Sequence, residues 1–349
     1  MIILVAEIIA VLAIAAAAFL YFYGKGIADQ IHVDFGDQIK TNAAVSHEQT
    51  IDEKYTLIML YGVDARNNKD LLQGANADSE ILAVINNETG DVKLVSLHRD
   101  TYIEAENGKK NKLTNIYCSY GVAQSVSTVN KMLDLNVTKF VTVNWKAVAR
   151  TINLIGGLDL ELTSKEIRSV NQYGPHTARV TGETYNYLDA EAGVVHLDGI
   201  QATAYARTRN APKDGEDGNT EHDDIARADR QRIVISAMLE KFKKEFSLSL
   251  VEDIKEQVLP YVATNIEYDD MLGMVINANK YTVGDKMMFP YEGLYKNQEH
   301  NLSTAYIYAD TLSDNVKKLH YDIFGVDYTP SSTVEELSEM ITEYRHEHS

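Results

Sequence analysis

Apolar positions along this chain fall into one long run near the start and many short ones after it. Residues 1–23, MIILVAEIIAVLAIAAAAFLYFY, are apolar apart from Glu7. As a helix rising ~1.5 Å per residue, such a run matches the thickness of a hydrocarbon core. Phe19, Tyr21, Phe22 and Tyr23 cluster at its end, where an aromatic belt would sit. A cleaved signal peptide needs a basic leading region, and no Lys or Arg precedes Lys25. The pattern therefore predicts a retained anchor over residues 1–24. Residues 25–50 carry little periodicity and read as a stalk. Lys25, just past the span, by itself leans towards a cytoplasmic body.

Beyond the stalk the runs shorten. Tyr55 to Tyr61, YTLIMLY, is continuously apolar and predicts a buried strand. Ser79 to Asn86 predicts a second strand and Asp91 to Leu97 a third, joined by the turn Asn87-Glu88-Thr89-Gly90 into a hairpin. Gln124 to Asp134 and Trp145 to Leu154 have helical periodicity, with a strand at Phe140 to Asn144 between them and another at Leu158 to Leu162 after Gly156-Gly157. Ser164 to Asn171 reads as a helix and Gly174 to Glu183 as an exposed connection. Gly199 to Ala206, Ile225 to Lys244, Leu248 to Leu259, Asp269 to Lys280 and Leu312 to Phe324 predict further helices. Lys286 to Phe289 and Ala305 to Tyr308 predict late strands. Alternating strands and helices indicate an α/β sandwich over residues 51–326, and residues 327–349 read as a polar helix or tail.

Composition narrows the function. The 349 residues are 45% hydrophobic and 24% charged, with a formal net charge of −18. That is globular composition, and the acidic excess argues against a nucleic-acid partner, whose footprint would be a basic face. Cys118 is the only cysteine, which excludes an intrachain disulfide and a multi-cysteine zinc site.

Against that acidic background, the stretch from His196 to Arg232 holds Arg207, Arg209, Arg227, Arg230 and Arg232. Arg207 and Arg209 share a face of an extended segment, and Arg227 and Gln231 share a face of a helix. Between them, Asn210 to Asp224 is rich in Gly, Asp and Asn and reads as a loop. Guanidinium forks around a loop suit a ligand with several phosphate oxygens; a salt-bridged helix face is the competing reading. A second cluster is expected where strands end. Asp64 and Arg66 follow the first strand, Asp78 precedes the second, and Arg99-Asp100 follows the third. Because a hairpin folds back, Asp78 and Arg99 should be neighbours. Two carboxylates with arginines at one sheet edge suit Mg²⁺, which takes one or two carboxylates plus phosphate oxygens, or else mutual salt bridging. His98 and His176 lack a second His at metal spacing and read as surface or structural residues.

Taken in order, several short stretches resemble the LytR-CpsA-Psr family. They are Gly62-Val63-Asp64-Ala65-Arg66, Ala77-Asp78-Ser79, Ser96-Leu97-His98-Arg99-Asp100-Thr101 and Lys112-Leu113-Thr114-Asn115 with Tyr120-Gly121. Gly156-Gly157-Leu158-Asp159, Leu197 to Ala202, Tyr205-Ala206-Arg207-Thr208-Arg209 and Asp224-Ile225-Ala226-Arg227 before Arg230-Gln231 complete the series. The resemblance implies an extracellular α/β/α sandwich with a central mixed sheet, preceded by one transmembrane helix in the cell membrane. That orientation overrides the lean from Lys25. It implies transfer of a glycopolymer, teichoic acid or capsular in type, from an undecaprenyl-pyrophosphate carrier to peptidoglycan. By resemblance, Asp64 and Asp78 serve Mg²⁺, and Arg66, Arg99, Arg207, Arg209, Arg227 and Gln231 hold the pyrophosphate. The same resemblance implies Asp224 and Arg99 as the catalytic residues, with Asp224 a candidate base for the acceptor hydroxyl. A non-catalytic sensor of lipid-linked glycopolymers and a lipid-pyrophosphate hydrolase are the alternatives. The chain departs from the family at His98, where Pro is usual, at Asn76 and Glu80, where an Arg and an apolar residue are common, and at Asp223 and Ala226, where glycines are.

Overall fold

The computed structural model describes residues 31–41, 53–66, 70–208, 248–276, 280–297 and 306–347. It also describes Arg227, Arg230, Gln231, Ile233, Val234, Ala237, Met238, Lys241, Lys244 and Glu245. Residues 1–24, expected to form the anchor, and most of the stalk lie outside the described residues. Among those that are described, no helix is long and apolar enough to cross a membrane.

The chain divides into two compact units, so the expected 51–326 domain contributes to both. One comprises residues 32–142, 263–266 and 280–349 and carries the main sheet. Its strands are β1 (Tyr55–Val63), β2 (Ala77–Asn86), β3 (Asp91–Leu97), the short β4 (Tyr102–Glu104) and β5 (Lys110–Lys112), and β6 (Lys139–Asn144). After β7 (Leu158–Leu162) and β8 (Gly193–Leu197), which belong to the other unit, come β9 (Val262–Thr264), β10 (Thr282–Phe289), β11 (Tyr295–Asn297) and β12 (Ile307–Ala309). Six strands join in the order β10-β3-β2-β1-β6-β9. The β1–β2 and β2–β3 pairs are antiparallel and β10 runs parallel to β3, so the sheet is mixed.

The apolar runs become strands because both sheet faces are buried. Met59, Tyr61, Val63, Leu82, Val84, Val95 and Leu97 project to one face and join a core with helices α1 (Leu113–Tyr120) and α2 (Val122–Leu133). Ile58, Leu60, Ile81, Ala83, Ile85, Val92 and Leu94, which alternate with them, are buried too. The end of the chain completes the first core. Helix Leu312–Phe324 is followed by a helix over Ser332–Glu347 that buries Val334, Leu337 and Ile341. Asp134, at the left-handed end of α2, receives both the amide and the hydroxyl of Ser331 at 2.7 Å, tying this last helix down.

The other unit comprises the described residues of 143–262 and 267–279 together with Ile31. It contains helices α3 (Trp145–Leu154), α4 (Ser164–Thr181) and α5 (Gly199–Arg207), and the antiparallel β7–β8 pair. Helix α4 corrects the expectation of an exposed connection from Gly174, since it continues through Pro175 to Thr181. Two things sustain it. A capping box at Thr163 and Glu166 satisfies its first turn. The flat side of Gly174 lies against the ring of Tyr185, where a Cβ would meet Cε2 at 2.0 Å. At the start of α5, a Cβ on Gly199 would fall 1.9 Å from the carbonyl oxygen of Ala149, so α3 and α5 touch backbone to backbone. The described residues between Arg227 and Glu245 are helical.

Candidate functional site

The bends at the ends of β1, β2 and β3 build one group of polar side chains. Strand β1 runs antiparallel to β2, so its carboxyl end lies beside the start of β2. Gly62 pairs with Ser79 and Val63 with Ala77, which leaves Asp78 as the extra residue of a bulge. The amide of Asp64 donates to the carbonyl of Asn76 at 3.0 Å, placing Asp64 next to that bulge. Strand β3 returns antiparallel to β2, with Leu97 opposite Glu80. Arg99 is thereby brought onto Asp78, and an Nη1 of its guanidinium donates to the Asp78 carboxylate. Its Nε lies 3.6 Å from Asp100, which in turn holds Lys112 at 2.8 Å. Asp78, Arg99 and Asp100 are each 18% exposed at their side chains, so the group is largely but not wholly withdrawn from water. Arg66 is exposed.

One acid in this group is unlike the rest. Glu80 is 1% exposed, and neither of its carboxyl oxygens has a hydrogen-bond partner among the described residues. It stands across from Tyr61 in the β1–β2 register, on the face covered by α1 and α2. The Tyr61 hydroxyl is engaged by Ser125 at 3.0 Å, and that of Tyr117 by Leu71 at 2.6 Å and Thr142 at 2.9 Å, so neither serves Glu80. Burial pushes the Glu80 carboxyl well above the usual carboxylate range. Arg99 opposes that rise, and the negative charges of Asp100 and Asp78 add to it. Sequence periodicity carried a signal for this: Ile81, Leu82, Ala83, Val84 and Ile85 are apolar on both faces, so an acid one step earlier has no polar face to occupy.

The arginines of the second stretch lie in the other unit. Arg207 ends α5. Its Nη1 donates to the Thr177 hydroxyl at 3.0 Å, and its guanidinium lies over the Trp145 ring at 5.5 Å. Thus α4 and α3 both orient it. Arg227 is 7% exposed, and Gln231, one helical turn on, has an amide nitrogen with no hydrogen-bond partner among the described residues. Arg209 and Asp224 lie outside the described residues.

The sequence counts Arg230 among the arginines of the stretch and assigns it no role of its own. It is 1% exposed, and its Nε donates to Glu166 at 3.1 Å while Nη1 reaches the Thr208 carbonyl at 3.3 Å. Glu166 is itself the capping residue of α4 and also receives the Tyr205 hydroxyl at 3.4 Å. The available signal was positional. Arg230 follows Arg227 by three residues on one helix, and Glu166 is an acid in the first turn of another.

No cluster of three or more His, Cys, Asp or Glu arranged for a metal occurs among the described residues. The Asp64 amide bonded to Asn76 and the bulge at Asp78 bring two carboxylate-bearing residues to the same strand end, the number Mg²⁺ takes when water and phosphate oxygens fill its other positions. The ring of His98 lies 5.6 Å from that of Tyr295 at a tilt of 55°, and its backbone amide donates to the Phe289 carbonyl at 2.8 Å.

A model of the LytR_cpsA_psr family matches residues 18–321. The chain is 27% identical over 218 residues to the polyisoprenyl-teichoic acid–peptidoglycan teichoic acid transferase TagT of Bacillus subtilis (strain 168), covering 62% of each chain. It is 27% identical over 295 residues to the transferase TagU of Bacillus mycoides (strain KBAB4), covering 82% of this chain and 86% of that one. It thus spans 62% of the length of the first of these relatives. Among solved structures, it superposes on a LytR-CPS2A-psr family protein, YwtF (TagT), with bound octaprenyl pyrophosphate lipid. The TM-score is 0.57 at 20% identity, covering 84% of this chain and 100% of that one. At that identity the likeness establishes the fold.

Proposed function

The chain belongs to the LytR-CpsA-Psr family, and on that premise we propose that it transfers a secondary cell-wall glycopolymer from an undecaprenyl-pyrophosphate carrier to a hydroxyl of peptidoglycan. The observation that carries the reading is the pairing of Arg99 with Asp78 beside Asp64, a cation and two carboxylates at one end of the sheet. That set suits a diphosphate and a divalent ion together. Two similar proteins are named for teichoic acid transfer to peptidoglycan, and a structural neighbour holds octaprenyl pyrophosphate. These names support the substrate class.

In this proposal Asp64 and Asp78 hold Mg²⁺. When bound, the ion supplies positive charge to the pyrophosphate oxygens. Arg66, Arg99, Arg207, Arg209, Arg227 and Gln231 bind the pyrophosphate, the guanidiniums through paired N–H donors. Arg207 is pre-oriented for such a role by Thr177 and Trp145. The acceptor hydroxyl attacks the sugar-linked phosphorus as Asp224 takes its proton. The new P–O bond forms, the bond to the bridging oxygen breaks, and its electron pair leaves with undecaprenyl phosphate. Arginine charge on the non-bridging oxygens favours the transition state, where negative charge shifts towards the leaving oxygen. Residues 1–24 tether the body to the outer face of the bilayer that contains the donor.

The test uses purified protein, a labelled lipid-linked donor and peptidoglycan fragments. Label joined covalently to the glycan supports the transferase. Free polymer phosphate would make the protein a hydrolase, and donor bound without turnover would make it a sensor.

A further inference from the structure

Arg230 has three features that a surface cation lacks. It is fully enclosed, it is paired with a side chain that is itself 4% exposed, and it reaches a backbone carbonyl in a different segment. Its carbonyl partner is Thr208, the residue immediately after Arg207 and the cap of α5. Its carboxylate partner, Glu166, uses its other oxygen to cap α4 through the Thr163 amide at 3.0 Å. Helix α4 also supplies Thr177, the hydroxyl that holds Arg207. The Tyr205 ring lies 6.0 Å from the Arg230 guanidinium, within the same enclosure. On its own helix, Arg230 sits three residues after Arg227 and one before Gln231.

We infer that Arg230 is a positioning residue that clamps the two halves of the arginine stretch together, setting the spacing of Arg207 from Arg227. The planar fork is what makes this possible. One nitrogen meets a carboxylate on α4 while another meets a carbonyl past the end of α5, a spacing fixed by the rigid guanidinium plane that the single nitrogen of an ammonium does not reproduce. A chain of 18 residues separates Thr208 from Arg227 in sequence, far too long to fix their distance by itself. The inference rests on the pyrophosphate reading for what Arg207 and Arg227 bind, and on Arg230's own contacts for the clamp.

The experiment uses the full chain in detergent, with geranylgeranyl pyrophosphate as the probe. It measures the Kd by calorimetry, the Tm, and hydrogen exchange of the Thr208 amide, which bonds to the Tyr205 carbonyl at 3.1 Å. Arg230→Met is expected to lower Tm and weaken binding, because it strands Glu166 in the interior. The double variant Arg230→Met, Glu166→Gln removes both charges from the interior while the amide oxygen at position 166 still accepts from the Thr163 amide and keeps the cap of α4. With the clamp absent, it is expected to regain Tm yet bind the probe at least ~10-fold more weakly than the unaltered chain, with fast exchange at Thr208. Recovery of binding along with Tm would overturn the clamp, because Arg230 would then contribute stability alone. Arg230→Lys guards against misfolding of the double variant. Weak binding at a Tm near that of the unaltered chain supports the clamp, and unchanged binding overturns it. If the unaltered chain does not bind the probe, the pyrophosphate reading falls, and exchange at Thr208 still decides the clamp. Fast exchange in Arg230→Lys upholds it, and slow exchange overturns it.

Discussion

Arg99 rests on the carboxylate of Asp78, and each side chain is held to 18% exposure at the end of the β2–β3 hairpin. The pair thus consists of a proposed phosphate ligand and a proposed metal ligand, each partly neutralising the other in the absence of substrate. A bound diphosphate would compete for Arg99 and leave Asp78 free for the cation. Arg99→Ala is expected to lower polymer transfer at least ~10-fold, about 1.4 kcal/mol in barrier. Mn²⁺ binding, followed by electron paramagnetic resonance, should weaken in Asp78→Asn. Transfer within twofold of the unaltered rate in Arg99→Ala would remove this arginine from the site.

Glu80 gives a pH dependence whose sign is fixed. Its carboxyl holds a proton more tightly in the folded chain than in the unfolded one. Folding therefore meets no ionisation penalty below the ordinary carboxylate range. Stability falls as pH rises from that range towards the higher folded value, because the unfolded chain releases the proton first. Glu80→Leu is expected to flatten that slope and to stabilise the protein at pH 7 by roughly 1–3 kcal/mol, the scale for an unsatisfied buried polar group. Urea denaturation in the presence of EDTA, at several pH values, measures both. Identical slopes in the two proteins would contradict the assignment.

Gly199 is a packing residue. A methyl group there would press into the Ala149 carbonyl oxygen at 1.9 Å and the Asn153 side chain at 2.9 Å. Gly199→Ala is expected to cost about 1–3 kcal/mol and, by shifting α5, to displace Arg207. Thermal melts and binding of a polyprenyl pyrophosphate should both deteriorate, and an unchanged Tm would refute the close approach.

The carboxyl-terminal helix, which follows the family match at residue 321, belongs to the core of its unit. Leu337 is 4% exposed and Ile341 1%. Leu337→Ala is expected to destabilise by about 2–5 kcal/mol, as other large-to-small core changes do. A loss under ~0.5 kcal/mol on denaturation would mean that this helix only rests on the surface.

What could be read from the residues alone was mostly local. The hairpin turn at Asn87 to Gly90 placed Asp78 beside Arg99 because strand pairing is dictated by a short loop. The run at Tyr55 to Tyr61 was legible because both faces of its strand are buried. The extent of α4 was not, since Gly174 and Pro175 are helix breakers by propensity and the close packing of Gly174 on the Tyr185 ring is a tertiary contact that periodicity does not report. The pairing of β7 with β8 joins segments separated by the whole of α4, and no periodicity reports such a partner. Arg230 looked like its neighbours because charge composition cannot separate a buried ion pair from a ligand-facing cation. That distinction needed Glu166, 64 positions away.

The central claim is that guanidiniums from separate stretches of the chain serve one diphosphate. The most direct measurement is the Kd of a polyprenyl pyrophosphate for the unaltered chain, Arg99→Ala, Arg207→Ala and the double variant, with folding checked by Tm. The account predicts that each single change weakens binding at least ~10-fold, near 1.4 kcal/mol, with the two losses non-additive in the double variant, as for groups that share a ligand. Binding within twofold of the unaltered Kd in either single variant would contradict it.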